Sequence, residues 1–270
     1  MIRIWLILML LLFSDLVSSQ VISGLVTDTA GNPIPYVSIG ILNGNRGTIS
    51  DENGSFTINL TGVNTDDTLR FSSLNYFPVD FQVLSLKNKN ELDVVLRQRA
   101  YLLEGVEVRP LENVEVEFGS TKKYRSGYMF SGIGEGFELA RLFSTEVRVF
   151  LKEFKFRTKF PDYDSVLFRI NIYKSKNGFP GESINKSDIF VTSTGKGWTG
   201  IDISASKISV TGEFFISVEA IKGWKDNKVT RANIIISGTL KRGVSYLRLT
   251  CLGKWEKTNM ELNYYLKAEY

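Results

Sequence analysis

Short runs in which apolar and polar residues alternate, each closed by a turn of Gly, Pro, Asn or Asp, fill the chain from Val21 to Leu96. A period of two is the repeat of a strand with one buried face, not of an amphipathic helix. The first run, residues 21–27, ends at the turn Asp28-Thr29-Ala30-Gly31-Asn32. Pro33 and Pro35 bracket Ile34 and fix an extended entry into residues 36–41, where Val37, Ile39 and Ile41 share one side. Asn43-Gly44 is a hairpin dipeptide, Gly47 opens a short strand, and Asp51-Glu52-Asn53-Gly54 makes a tight turn. Phe56, Ile58 and Leu60 alternate next, and strands follow at 68–72, 79–84 and 92–96. Seven short strands spaced by turns in this way predict an antiparallel β-sandwich.

The same period returns in the second half. Phe154, Phe156 and Phe160 alternate with Lys155, Arg157 and Lys159, and Val166, Phe168, Ile170 and Ile172 repeat after the turn at 161–164. Further strands are read at 198–203, 214–221, 234–236 and 246–252. A last one places Leu262, Tyr264, Leu266, Ala268 and Tyr270 on one side. Residues 136–143 read as one short helix and 179–182 as a loop. This half is expected to form a second antiparallel sandwich of jelly-roll type.

Several ordered motifs in the first half carry a family resemblance. Gly24, Val26 and Asp28, then Gly31, Pro33 and Pro35, then Gly47 and Thr48, then Asp51, Gly54 and Phe56 stand in sequence. This order resembles the carboxypeptidase-regulatory-like domain, a transthyretin-like or prealbumin-like sandwich. Phe71-Ser72-Ser73-Leu74-Asn75-Tyr76 is similar to the family's strand and Gly-Tyr segment, with Asn75 in the glycine place; asparagine tolerates the left-handed backbone. Residues 102–108, Leu-Leu-Glu-Gly-Val-Glu-Val, are similar to the stretch after such modules in TonB-dependent outer-membrane receptors. The resemblance implies a transthyretin-like sandwich for the first half; with the strands read in the second, the expected fold is all-β, that sandwich followed by a jelly-roll-like one. It does not carry over the receptors' plug and barrel, because the 160 residues after Pro110 are too few. Nor does it carry over the zinc carboxypeptidases to which such modules are appended, because their ligands include histidine and this chain has none.

The chain opens with Arg3 and an unbroken apolar run from Ile4 to Phe13, followed by small residues. Such a run is too short to span a bilayer and has the layout of a cleaved signal, with the cut expected between Ser19 and Gln20. No second long apolar run is present, so no transmembrane span is expected in the mature chain. Residues 20–110 hold seven Lys/Arg against ten Asp/Glu, whereas residues 111–270 hold 25 against 18. That change of sign supports a boundary near Pro110. The expected organisation is a signal at 1–19, a first sandwich at 20–109, a connector at 110–128 and a second sandwich at 129–270, with the halves folding separately.

With no histidine and a single cysteine, Cys251, every His-based catalytic arrangement and the usual zinc sites are excluded. Carboxylate-only chemistry and all-oxygen ion sites survive. Asp162 with Asp164, and Asp51 with Glu52, read as turns rather than ion sites, and no metal or cofactor is expected. Cys251 reads as a small buried thiol. Of the tryptophans past the signal, Trp198 and Trp255 read as packing residues. Trp224, in the polar stretch Lys222-Gly223-Trp224-Lys225-Asp226-Asn227-Lys228, is the candidate ligand-binding residue, on a loop. The expected function is an exported, non-enzymatic binding or scaffolding protein of the cell envelope, outer-membrane surface, periplasm or exterior, acting through protein contacts. The alternatives are a glycan-binding accessory module using exposed aromatics of the second half and a carboxylate-only hydrolase. The partner is an envelope protein or a glycan; nucleic acid is not expected.

Overall fold

A computed structural model describes residues 20–99, 114–122, 126–130, 134–159, 163–230, 233–241 and 244–270. The expected signal with Ser19, and the segment 102–108, lie outside the described residues. No helix among the described residues is long and apolar enough to cross a membrane.

The first unit consists of β1 (Val21–Asp28), β2 (Ser38–Ile41), β3 (Gly47–Ile49), β4 (Ser55–Asn59), β5 (Thr68–Ser72), β6 (Val79–Gln82) and β7 (Val94–Leu96). They form a three-stranded sheet β4-β1-β7 facing a four-stranded sheet β3-β2-β5-β6. Alternation puts Ile22 and Val26 of β1, Ile39 and Ile41 of β2, and Phe56 and Ile58 of β4 into one shared core with Leu69 and Phe71. All pairs are antiparallel except β1 with β7, which run parallel. The expected strand at 79–84 stops at Gln82, where a 3-10 turn, Val83–Leu86, buries Val83 and Leu86. Gln20 is tied into this unit, its side-chain amide donating to the Leu86 carbonyl at 2.8 Å.

The second unit begins inside the expected connector. β8 (Glu115–Gly119) and β9 (Gly127–Phe130) precede β10 (Glu138–Lys159), a strand of 22 residues where a short helix was expected at 136–143. β11 (Ser165–Lys176) follows, then β12 (Phe179–Ser183), which occupies the expected loop, and β13 (Phe190–Ser193). β14 (Gly197–Asp202) leads to β15 (Ser209–Lys225), its hairpin partner β16 (Lys228–Val229), and β17 (Ile234–Leu240). The chain ends in β18 (Ser245–Arg248), β19 (Glu256–Lys257), β20 (Met260–Leu262) and β21 (Tyr264–Glu269).

These fourteen strands form one hydrogen-bonded network, folded over by β10. The first half of β10 lies between β15 and β18; its second half lies between β14 and β21. Between them the register with β15 shifts at Thr145–Val149, a bulge that bends the strand from one layer into the other. The layers meet through Phe156 of β10 and Phe168 of β11, 5.1 Å apart edge-on, and the Tyr264 hydroxyl donates across to the Leu139 carbonyl at 2.9 Å. β8 pairs in antiparallel register with β21, so the segment after residue 114 belongs to the second sheet.

The turn at Asp51 shows how local chemistry sets the first unit. Asp51 Oδ1 accepts from the amides of Asn53 and Ser55, and Gly54 takes φ of +75°. A Cβ on Gly54 would stand 2.5 Å from the Val26 carbonyl oxygen, whereas one on Gly31, at φ of +85°, would meet nothing within 4 Å. Gly54→Ala is therefore expected to lower stability by clearly more than Gly31→Ala, for which only the conformational cost of about 1 kcal/mol applies. Chemical denaturation of both variants measures the difference; equal losses would refute the steric reading.

Candidate functional site

The outer face of the second unit's first layer carries charge where it meets the first unit. Strand register aligns Arg169 of β11 with Glu219 of β15, Glu219 with Glu138 of β10, and Glu138 with Arg248 of β18. The result is one row across four strands with signs plus, minus, minus, plus. Glu138 and Glu219 are 0% and 1% exposed. Like charges directly opposite each other repel, but here each carboxylate has an arginine on its far side. Arg169 Nε donates to Glu219 Oε2 at 2.9 Å, and Arg248 Nε donates to Glu138 Oε2 at 2.6 Å.

Neutral groups complete the row. Asn171 Nδ2 bridges the carboxylates, donating to Glu138 Oε1 at 2.9 Å and to Glu219 Oε2 at 3.2 Å. The Tyr173 hydroxyl donates to Glu138 Oε1 at 2.9 Å, and the Ser217 hydroxyl donates to the same oxygen. Burial alone would lower the pKa of both arginines; the charges of Glu219 and Glu138 reverse that and hold them above their ordinary value. Burial, reinforced by Glu138 and Glu219, raises the Tyr173 phenol and keeps it a donor.

The first unit closes over this row. Arg169 Nη1 donates to the Tyr36 carbonyl and Nη2 to the Ser38 hydroxyl, both at 2.9 Å. Tyr36 has φ of +56°, rare for a bulky residue, so it lies outside the strand expected at 36–41. Its ring packs edge-on against Phe190 at 5.3 Å. Main-chain bonds from Asn43 to Leu252 and from Ile49 to Gly134, each 2.9 Å, join the units, as does the Lys222–Glu52 ion pair at 2.6 Å. Cys251 is buried in this seam, its thiol directed at the carbonyls of Ile39 and Thr48.

Beside the row lies a cleft of about 300 Å³ between the units. Its wall includes Ser73 and Asn75 of the first unit, and Asn171, Asp188 and Glu219 of the second. Glu219 Oε1 is buried with no hydrogen-bond partner among the described residues.

The aromatic candidates lie elsewhere. Trp224 is in strand β15, not on a loop, paired with Ser165 and Val229; the reversal is confined to Asp226 and Asn227, both at positive φ. It is half-buried, with Lys222 Nζ 5.5 Å from its ring centre. Trp198 is half-buried in β14, and Trp255 is half-buried under the Arg248 guanidinium at 4.8 Å. Asp164 accepts from the Asp226 amide at 2.7 Å and so closes the hairpin, while Asp162 lies outside the described residues. Among the described residues no three acidic or cysteine side chains group as a metal site would need. The row itself, missed in the sequence, joins residues up to 110 positions apart and leaves no local signal.

Arg169→Met would leave Glu219 as an uncompensated buried charge, and a loss of about 3–5 kcal/mol is expected on denaturation. Arg169→Met with Glu219→Met should recover most of it; a single variant within about 1 kcal/mol of the parent would refute burial of the pair. Burial first, then the charge of Glu219, pushes the Cys251 thiol up to about 12, against Arg248 and Arg169. The folded value exceeds the unfolded one of about 8.5, so the protonated thiol's contribution is complete below that pH. It is lost as the pH rises towards the folded value. At pH 8 the native thiol should resist a thiol-reactive chromogen and react at once in denaturant; fast native reaction would mean that the seam opens.

No curated protein matches the chain in sequence. Among solved structures, the chain is similar to two of Cwp84, a surface-layer-associated cysteine protease of Clostridium difficile. One, with protease and lectin-like domains, is 12% identical at a TM-score of 0.41, covering 83% of this chain and 45% of that one. The other, after propeptide cleavage, is 10% identical at 0.44, covering 87% and 66%. A streptococcal ancillary pilin follows at 11% identity and 0.22, covering 82% and 59%. The chain thus spans less than two thirds of the length of these structures. The first half is more specific: the family model described as CarboxypepD_reg-like domain matches residues 22–108, the stretch that holds the facing sheets and the Asp51–Gly54 turn.

Proposed function

We propose that the protein is an exported, non-enzymatic binding or scaffolding protein of the cell envelope that acts through protein contacts. One observation carries this reading: the buried charged groups are spent on one another and, through Arg169, on the seam between the two units. Glu138 alone takes hydrogen bonds from Asn171, Tyr173, Ser217 and Arg248. The one thiol is buried and protonated at neutral pH. The charged start, apolar run and small residues before Gln20 support export. The match of residues 22–108 to the CarboxypepD_reg-like domain supports a binding role. The first unit also exposes apolar side chains, Leu84 at 59% and Val95 at 56%, at positions free for a partner.

A photo-reactive amino acid at Leu84 or Val95 of the full chain, irradiated in cells, should give discrete protein adducts in the envelope fraction. Protein recovered only in the cytoplasm, or purified chain turning over chromogenic glycosides and esters, would overturn the reading.

A further inference from the structure

We propose that the cleft between the two units binds a single neutral sugar ring. The proposal rests on the binding role above and places its ligand away from Trp224. Three arginines in the wall, Arg99, Arg169 and Arg248, face three carboxylates, Glu182, Asp188 and Glu219. Their formal charges cancel, so the cleft favours neither a simple anion nor a simple cation. What it offers is donors beside acceptors. Guanidinium, carboxylate, the Asn75 and Asn171 amides and the Ser73 hydroxyl lie round one space.

A sugar hydroxyl donates and accepts at once, so vicinal hydroxyls can pair with a carboxylate or amide on one side and a guanidinium on the other. The space, about 300 Å³, is at the lower end of the range for small-molecule sites and suits one ring rather than a chain. Leu74 and Pro78 add an apolar stretch for the ring's C–H groups. Because both units contribute, a bound ring would bridge them.

The test uses the full mature chain and saturation-transfer NMR with glucose, galactose, mannose and N-acetylglucosamine, and with lysine and inorganic phosphate as charged comparators. Two variants address the cleft. Asn75→Gly removes an amide at a position with φ of +68°, where glycine keeps the backbone, and Ser73→Trp fills the space. Transfer to at least one sugar is expected, with affinity reduced tenfold or more by both variants and circular dichroism unchanged. The proposal is overturned if none of the four sugars shows transfer, if lysine or phosphate binds in their place, or if both variants bind as the parent does. It also falls if Trp224→Ala, rather than the cleft variants, abolishes the signal. Discrete envelope adducts from Leu84 together with no sugar binding would refute this inference and leave the scaffolding role standing.

Discussion

The buried row Arg169, Glu219, Glu138, Arg248 is the constraint around which the rest is arranged. Four strands must keep one register for the signs to fall plus, minus, minus, plus. A slip of one residue would turn every charge into the apolar core and bring Leu139, Ile170 and Val218 out. On an open surface the row would be ordinary and solvated. Under the first unit it is taken out of water, and every partner then matters, which explains the dense set of hydroxyl and amide donors on Glu138.

The seam is asymmetric in its chemistry. The second unit supplies side-chain donors: Arg169, Thr250 and the Cys251 thiol. The first unit answers mostly with main-chain carbonyls, those of Tyr36, Ile39, Gly44 and Thr48. Recognition through carbonyls reads the shape of the β2–β3 hairpin and its approach rather than its side chains. Tyr36, whose carbonyl accepts from Arg169, holds an uncommon backbone conformation at this seam.

Period-two alternation made the seven strands of the first unit legible, because Val37, Ile39 and Ile41 or Phe56 and Ile58 declare their buried side locally. It failed where a charge is buried. Glu138 and Arg141 are spaced like exposed positions of a helix, yet one enters the row and the other reaches the Leu262 carbonyl and Glu261. Pro180 and Gly181 suggested a loop; β12 tolerates them because it pairs only with β11, at the sheet's edge. Trp224 looked like loop because the polar residues around it belong to a strand end and its hairpin. The cleft and the row were beyond reading, since both are assembled from segments far apart along the chain.

The pairing of β8 with β21 has a consequence for the order in which the molecule can be made. Glu115 is matched with Glu269, so the first strand of the second unit has no partner among the described strands until β21 has been synthesised. One edge of the second half of β10 waits for the same strand, while the other pairs with the earlier β14. Loop closure over such a span is slow compared with forming hairpins nearby, and the first unit can complete its own sheets long before. A chain emerging in sequence would therefore present a closed leading unit and an unfinished trailing one. Removal of β21 would leave β8 without its partner and β10 with one open edge over residues 150–156.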